Sequence, residues 1–157
     1  MRRLLPLLAS AALVLSTAAA QADLGDQLFK LLPDDGAAQD QFGYVSISGT
    51  TAIVGARHDD DNGNSSGSAY LFDTTTGRQI ASLLPNDGAA FDNFGIAVAI
   101  SGPPGKEVAI VGALWDDDNG TDSGSAYLFD TTTGRQLAKL LPMDGEEGDR
   151  ARLCLAA

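Results

Sequence analysis

GARHDDDNGNSSGSAYLFDTTTGRQ, Gly55 to Gln79, returns as GALWDDDNGTDSGSAYLFDTTTGRQ, Gly112 to Gln136. Four of the twenty-five positions differ: Arg57/Leu114, His58/Trp115, Asn64/Thr121 and Ser65/Asp122. The flanks repeat as well. Leu-Leu-Pro stands at 31–33, 83–85 and 140–142, Phe-Gly at 42–43 and 94–95, and Ser-Gly at 48–49 and 101–102. Pro33 to Pro85 spans 52 residues and Pro85 to Pro142 spans 57. Self-similarity at that period marks a repeat protein, whose units bury their faces only against neighbouring copies.

Within each unit, short apolar runs alternate with Gly, Asp, Asn, Ser and Thr, as strands alternate with turns. The first copy supplies Gly43–Ser48, Thr51–Gly55, Ser68–Asp73 and Arg78–Leu84. The second supplies Gly95–Ser101, Glu107–Gly112, Ser125–Asp130 and Arg135–Leu141. Gln27–Leu32 reads as a ninth strand, the last of a preceding unit. In Ser68–Asp73, Ala69 and Leu71 face one way while Tyr70 and Phe72 face the other, and both pairs are apolar. A strand with one wet face would alternate apolar and polar residues, so these sheets lie between two other layers. The fourth strand carries charge, as an outer edge does. The expected fold is all-β: about two four-stranded antiparallel propeller blades, incomplete or open, because a closed ring takes four to eight.

Residues 1–22 read as a signal peptide, with basic Arg2 and Arg3, an apolar run over Leu4–Leu15 and a cleavage site at Ala20-Gln21-Ala22. The chain is thus expected to be exported, to the periplasm, the cell surface or beyond. Later stretches fall short of the roughly 18–20 apolar residues of a membrane helix. Unit one is placed at about 27–84 and unit two at about 85–141, within a repeat region of 23–145, with a truncated or unstructured tail at 146–157. Without residues 1–22, eight basic residues face twenty-one acidic ones, a net charge of −13. That surface repels nucleic acid and anionic lipid. Cys154 is the single cysteine, so no intrachain disulfide forms.

Phe42-Gly43, Val45-Ser-Ile-Ser-Gly49, Ala52-Ile-Val-Gly-Ala56 and Gly67-Ser-Ala-Tyr-Leu-Phe72, repeated from Phe94 to Phe129, resemble the FG-GAP repeat family. That family includes the β-propeller of integrin alpha subunits and many bacterial exported proteins. The resemblance implies a propeller, commonly of seven blades, used for extracellular recognition. It implies partners of two kinds: further FG-GAP blades in the same or another chain, and a protein or glycan ligand at the cell surface. Two blades then read as part of a truncated array. The family's calcium loop lies between the Phe-Gly and Val-Gly-Ala strands. Here those connections, Ser48–Thr51 and Ser101–Glu107, lack a carboxylate cluster, so that site is not carried over.

The acids sit one connection later, in His58-Asp-Asp-Asp-Asn-Gly63 and Trp115-Asp-Asp-Asp-Asn-Gly120. Two explanations fit them. Asp and Asn side chains hold their own backbone in Asx turns, or alternate carboxylates, Asp59 with Asp61 and Asp116 with Asp118, converge on Ca2+. The loops lack the downstream Glu of an EF-hand. His58 has Trp115 as its twin, so no histidine-based site repeats, and nothing sets a nucleophile beside a base. The expected function is non-enzymatic: a propeller for extracellular recognition or adhesion. The alternatives are the non-catalytic propeller portion of an exported hydrolase, or a truncated product without independent function.

Overall fold

The computed structural model describes residues 26–143. The signal segment and the tail beyond Met143 lie outside the described residues. Eight strands form in chain order: β1 Phe42–Ser48, β2 Thr51–Ala56, β3 Ser68–Asp73, β4 Arg78–Leu83, β5 Phe94–Ser101, β6 Val108–Ala113, β7 Ser125–Asp130 and β8 Gln136–Leu140. They make two antiparallel sheets, β1-β2-β3-β4 and β5-β6-β7-β8. Each is a blade of neighbouring strands joined by short turns, as the alternation of apolar runs and turn residues requires.

The twin segments fold alike down to unusual backbone. Gln39 and Phe91 have φ of 83° and 76°, Gln41 and Asn93 have 54° and 55°, and Ser65 and Asp122 have 51° and 54°. β2 pairs with β3 from Thr51↔Asp73 to Ala56↔Ser68, and β6 with β7 from Val108↔Asp130 to Ala113↔Ser125. Each blade bulges where its third strand meets its fourth, between Leu71 and Phe72 and between Leu128 and Phe129.

Gln27–Leu32 is not a strand. A strand needs a ladder partner for its backbone groups, and no third strand of a preceding blade stands beside it among the described residues. Leu31 nevertheless packs against Ala52, Val54, Ala56, Tyr70 and Phe72 of the first blade. Asp34 donates its amide to the Gln79 side chain at 3.0 Å, as Asn86 does to Gln136 at 2.9 Å. The segment keeps the seat of an outer strand without the ladder.

One core joins the blades. Ile53, Ala69, Leu71 and Leu83 of the first pack with Phe94, Val98, Ile100, Val111 and Phe129 of the second. Phe94 sets its ring edge against Tyr127 and Phe129, with centroids 5.5 and 5.8 Å apart. Main chain crosses the seam too: the amides of Phe91, Asn93 and Phe94 donate to the carbonyls of Asn64, Ser65 and Ser66 at 2.8, 3.1 and 2.9 Å. The approach is so close that a Cβ on Gly55 would overlap the Gly95 carbonyl, and one on Gly67 the Phe94 carbonyl. Gly112, the twin of Gly55, would place a Cβ no nearer than 3.5 Å from the Ala97 methyl.

That contrast separates two otherwise identical substitutions. Gly55→Ala should lower stability by several kcal/mol, on the order of the largest single-residue effects, while Gly112→Ala should stay within about 1 kcal/mol. Urea unfolding of the two variants beside the parent chain measures the difference.

Candidate functional site

The second connection of each blade, 57–67 and 114–124, carries the acids, and its three aspartates do three different things. The first turns inward. Asp59 and Asp116 are only 5% and 3% exposed. Their Oδ2 atoms accept the hydroxyls of Tyr70 at 2.7 Å and Tyr127 at 2.6 Å. Their Oδ1 atoms accept the amides of Asp61 at 3.0 Å and Asp118 at 3.1 Å. The second aspartate ties the loop across itself: Asp60 Oδ1 accepts the Ser65 amide and Asp117 Oδ1 the Asp122 amide, each at 2.7 Å. The third, Asp61 or Asp118, is exposed.

The loop base closes on main chain, with the amides of Gly67 and Gly124 donating to the carbonyls of Asp59 and Asp116 at 2.9 Å each. Asp side chains that bond amides two and five residues on are the local competition that keeps such sequences out of regular structure. The paired residues Asp59/Asp61 and Asp116/Asp118 are therefore adjacent: in the first blade Asp59 faces Tyr70 while Asp61 is exposed, and in the second both carboxylates reach the Lys139 ammonium. Among the described residues no three His, Cys, Asp or Glu side chains stand ready as a metal cluster.

The blades part company in charge. Lys139 on β8 lays its ammonium 2.9 Å from Asp87 and 2.9 Å from Asp116, also bonds Asp118, and sits 5.0 Å above the Tyr127 ring. The corresponding residue on β4 is Ser82, since Tyr70 faces Ser82 as Tyr127 faces Lys139. The first blade instead presents a groove of about 390 Å³ lined by Asp35, Asp40, His58, Asp59, Asp60 and Asp61, among others.

Electrostatics follow from this. Burial pushes both tyrosine hydroxyls upward, and the Asp59 and Asp116 carboxylates that accept them add to it. For Asp116, burial pulls upward, but bonds from Tyr127, Lys139 and Ser125 outweigh it and hold the carboxyl below the usual range. Burial opposes the Lys139 charge, yet bonds to Asp118, Tyr127, Asp87 and Asp116 leave the ammonium held above its ordinary value. Asp61 is raised by burial first and then by the charges of Asp59, Asp35 and Asp40. Asp92, which accepts the Ala89 amide at 2.7 Å, is pushed up to about 6, chiefly by burial.

Tyr70, Tyr127, Asp35, Asp87 and Lys139 escaped the sequence reading of the site. The tyrosines pass as core aromatics, and Asp35 and Asp87 as turn residues. The Lys139/Ser82 difference is visible once the repeats are aligned. Trp115 and Phe91, whose twins are His58 and Gln39, are exposed at 40% and 57%. Cys154 lies outside the described residues.

The family model described as "FG-GAP repeat" matches residues 26–72 and 78–129. No curated protein matches. Among solved structures, the chain is similar to the computationally designed Ika4 protein at 18% identity and a TM-score of 0.45. That alignment covers 78% of this chain and 57% of the designed one, so the chain spans less than two thirds of that structure.

Two outcomes follow from the buried carboxylates. Tyr70→Phe and Tyr127→Phe each leave an aspartate oxygen short of a donor and should cost about 1–3 kcal/mol, read by urea unfolding. Asp92 binds a proton in the folded chain up to about pH 6, against an ordinary value of 3.8. Between those values the folded state holds the extra proton, so Asp92's contribution is full below the window and lost as pH rises through it. Asp92→Asn should flatten that fall in a series of melting temperatures from acid to neutral pH.

Proposed function

The chain belongs to the FG-GAP repeat family, and on that premise we propose that it is an exported, non-enzymatic part of a larger β-propeller serving recognition or adhesion at the cell surface. The observation that carries this reading is a mismatch between twin faces. Val98 and Ile100 of β5 are buried against the first blade at 8% and 7%, whereas Val45 and Ile47, which hold the same register in β1, are 70% and 65% exposed. The converse holds at the other end. Leu83 is 0% exposed in the seam and its twin Leu140 is 43% exposed. Each outer face is thus one unmatched half of the contact that already joins the two blades. Apolar surface of this kind, left open by twins of buried residues, marks a place for a neighbour.

Recognition fits the rest. The strands hold the loops on a rigid frame, and loops on such a frame are where proteins place binding residues. The two acidic connections lie at one end of their blades, next to exposed Trp115 and Phe91. Aromatic side chains of that kind anchor protein and glycan partners. The acids of the two connections serve tyrosines, amides and Lys139. Export rests on the Arg2-Arg3 start, the apolar run and the Ala20-Gln21-Ala22 site.

Arrays of extracellular proteins and glycans probed with the labelled chain test the role. Saturable binding to one ligand class, weakened at least tenfold by Phe91→Ala together with Trp115→Ala, is expected, and mass spectrometry of the exported product should find a chain beginning at Asp23. Retention of residues 1–22 in the cytoplasm, with no saturable binding on either array, would overturn the reading.

A further inference from the structure

Two segments of this chain share one sequence and differ in what they pair with. Gln27-Leu-Phe-Lys-Leu-Leu32 matches Gln136-Leu-Ala-Lys-Leu-Leu141, which begins with β8, at five of six positions, Phe29/Ala138 being the exception. β8 pairs with β7, whereas the earlier segment lies outside both sheets.

The seat that this segment keeps on the first blade copies the one β4 holds on the second. Leu83 packs in one core with Val111, Tyr127 and Phe129, and Leu31 packs against their twins Val54, Tyr70 and Phe72. A Cβ on Gly134 would meet the Ala81 methyl, and one on its twin Gly77 would meet the Phe29 ring. The amides of Asn86 and Asp34 bond the side chains of Gln136 and Gln79. Three separate contacts thus repeat, and only the sheet is missing. In the seam β4 arrives with β2 and β3, whose Ile53 and Leu71 pack with Val98 and Ile100 of β5. Gln27–Leu32 brings no such sheet, and Val45 and Ile47 of β1 stay exposed. The matching face lies at the other end of the molecule, where Ile110 and Leu128 are half-buried although their twins Ile53 and Leu71 are fully buried.

We propose that the outer face of the first blade binds a second copy of this chain, head to tail: β8 of one copy displaces Gln27–Leu32 of the other and lays its sheet over Val45 and Ile47. The contact is the internal seam made between molecules. It is heterologous, so it closes into a ring or runs on as a filament, and a ring of about four to eight blades takes two to four copies. What holds each of the like sequences decides which one yields. β8 keeps its ladder to β7 and the ion pairs of Lys139 with three aspartates. Gln27–Leu32 is held by side-chain contacts, with Leu28, Phe29 and Leu32 all exposed, and Leu140 replaces Leu31 like for like. The segment is a placeholder on the seat. This inference rests on the propeller part of the proposed function and not on recognition. Failure to bind any array ligand would leave it standing, and a ligand-binding chain that stays monomeric would sink it alone.

Sedimentation velocity of the full chain over a concentration series tests it, with circular dichroism to confirm that each variant folds. The parent should form discrete assemblies of two to four copies. Val45→Asp with Ile47→Asp removes the head face and Leu140→Asp the tail, so each variant alone should sediment as a monomer. Mixed one to one, they should form a dimer and nothing larger, because one intact face of each kind remains. Leu31→Asp loosens the placeholder and should tighten assembly by about tenfold, the order of one leucine's burial. If Leu140→Asp does not fold, Ile110→Lys serves as the tail variant. A monomeric parent would leave the face to a further blade and overturn the proposal. So would folded head and tail variants that stay apart when mixed, a head variant that blocks assembly while the tail variant does not, or a folded Leu31→Asp chain that assembles no better.

Discussion

The close approach of two backbones sets the rest of this structure. Where Gly55 and Gly67 meet Gly95 and Phe94, main chain touches main chain with no side chain between. Amides of Asn93 and Phe94 bond carbonyls of Ser65 and Ser66 across that line. Only glycine permits the contact. Once it forms, the sheets are near enough for Ile53, Leu71 and Leu83 to reach Val98, Ile100 and Val111. Burial of those side chains, worth about 1.5–3 kcal/mol each, then holds the blades together. Polar and apolar parts of the seam are therefore not independent. A Cβ at Gly55 would push the sheets apart and open the apolar contact with the hydrogen bonds.

The same constraint explains why both faces of β2, β3, β6 and β7 are apolar. A sheet in a stack has a neighbour on each side, so neither face is selected for water. In the two-blade unit, one face of each sheet finds its partner and the other is covered in part. Leu31 and Phe42 shelter the outer face of the first blade, while Val45 and Ile47 stay open. The loops at the blade end follow a different logic. There a buried aspartate in each blade anchors a tyrosine from the strand below, and the loop is tied to the core through that bond.

Most of the fold was legible because a propeller blade writes its plan in short-range pattern. Repeat period, Phe-Gly starts and Asp-Thr-Thr-Thr-Gly turns located all eight strands within a residue or two. Gln27–Leu32 failed because a ladder depends on a neighbour that local sequence does not supply. The acidic loops were legible only in part. Three consecutive aspartates look equivalent in sequence, yet one faces a tyrosine eleven residues on, one spans the loop and one meets solvent. Which does which is decided by where β3 returns, a tertiary matter. Alternation pairs Asp59 with Asp61 as candidates, but it says nothing of the tyrosine that claims Asp59. Lys139 reads as outer-strand charge, and only the sheet register shows that it lies across from Tyr127.

The claim beneath all of this is that the two Phe-Gly units share one dry seam. Methyl-resolved NMR of the folded chain reads that seam directly. Cross-peaks between the methyl groups of Ile53 or Leu71 and those of Ile100 or Val111 are predicted by the shared core. Two sets of blade-internal cross-peaks with none joining them would contradict it.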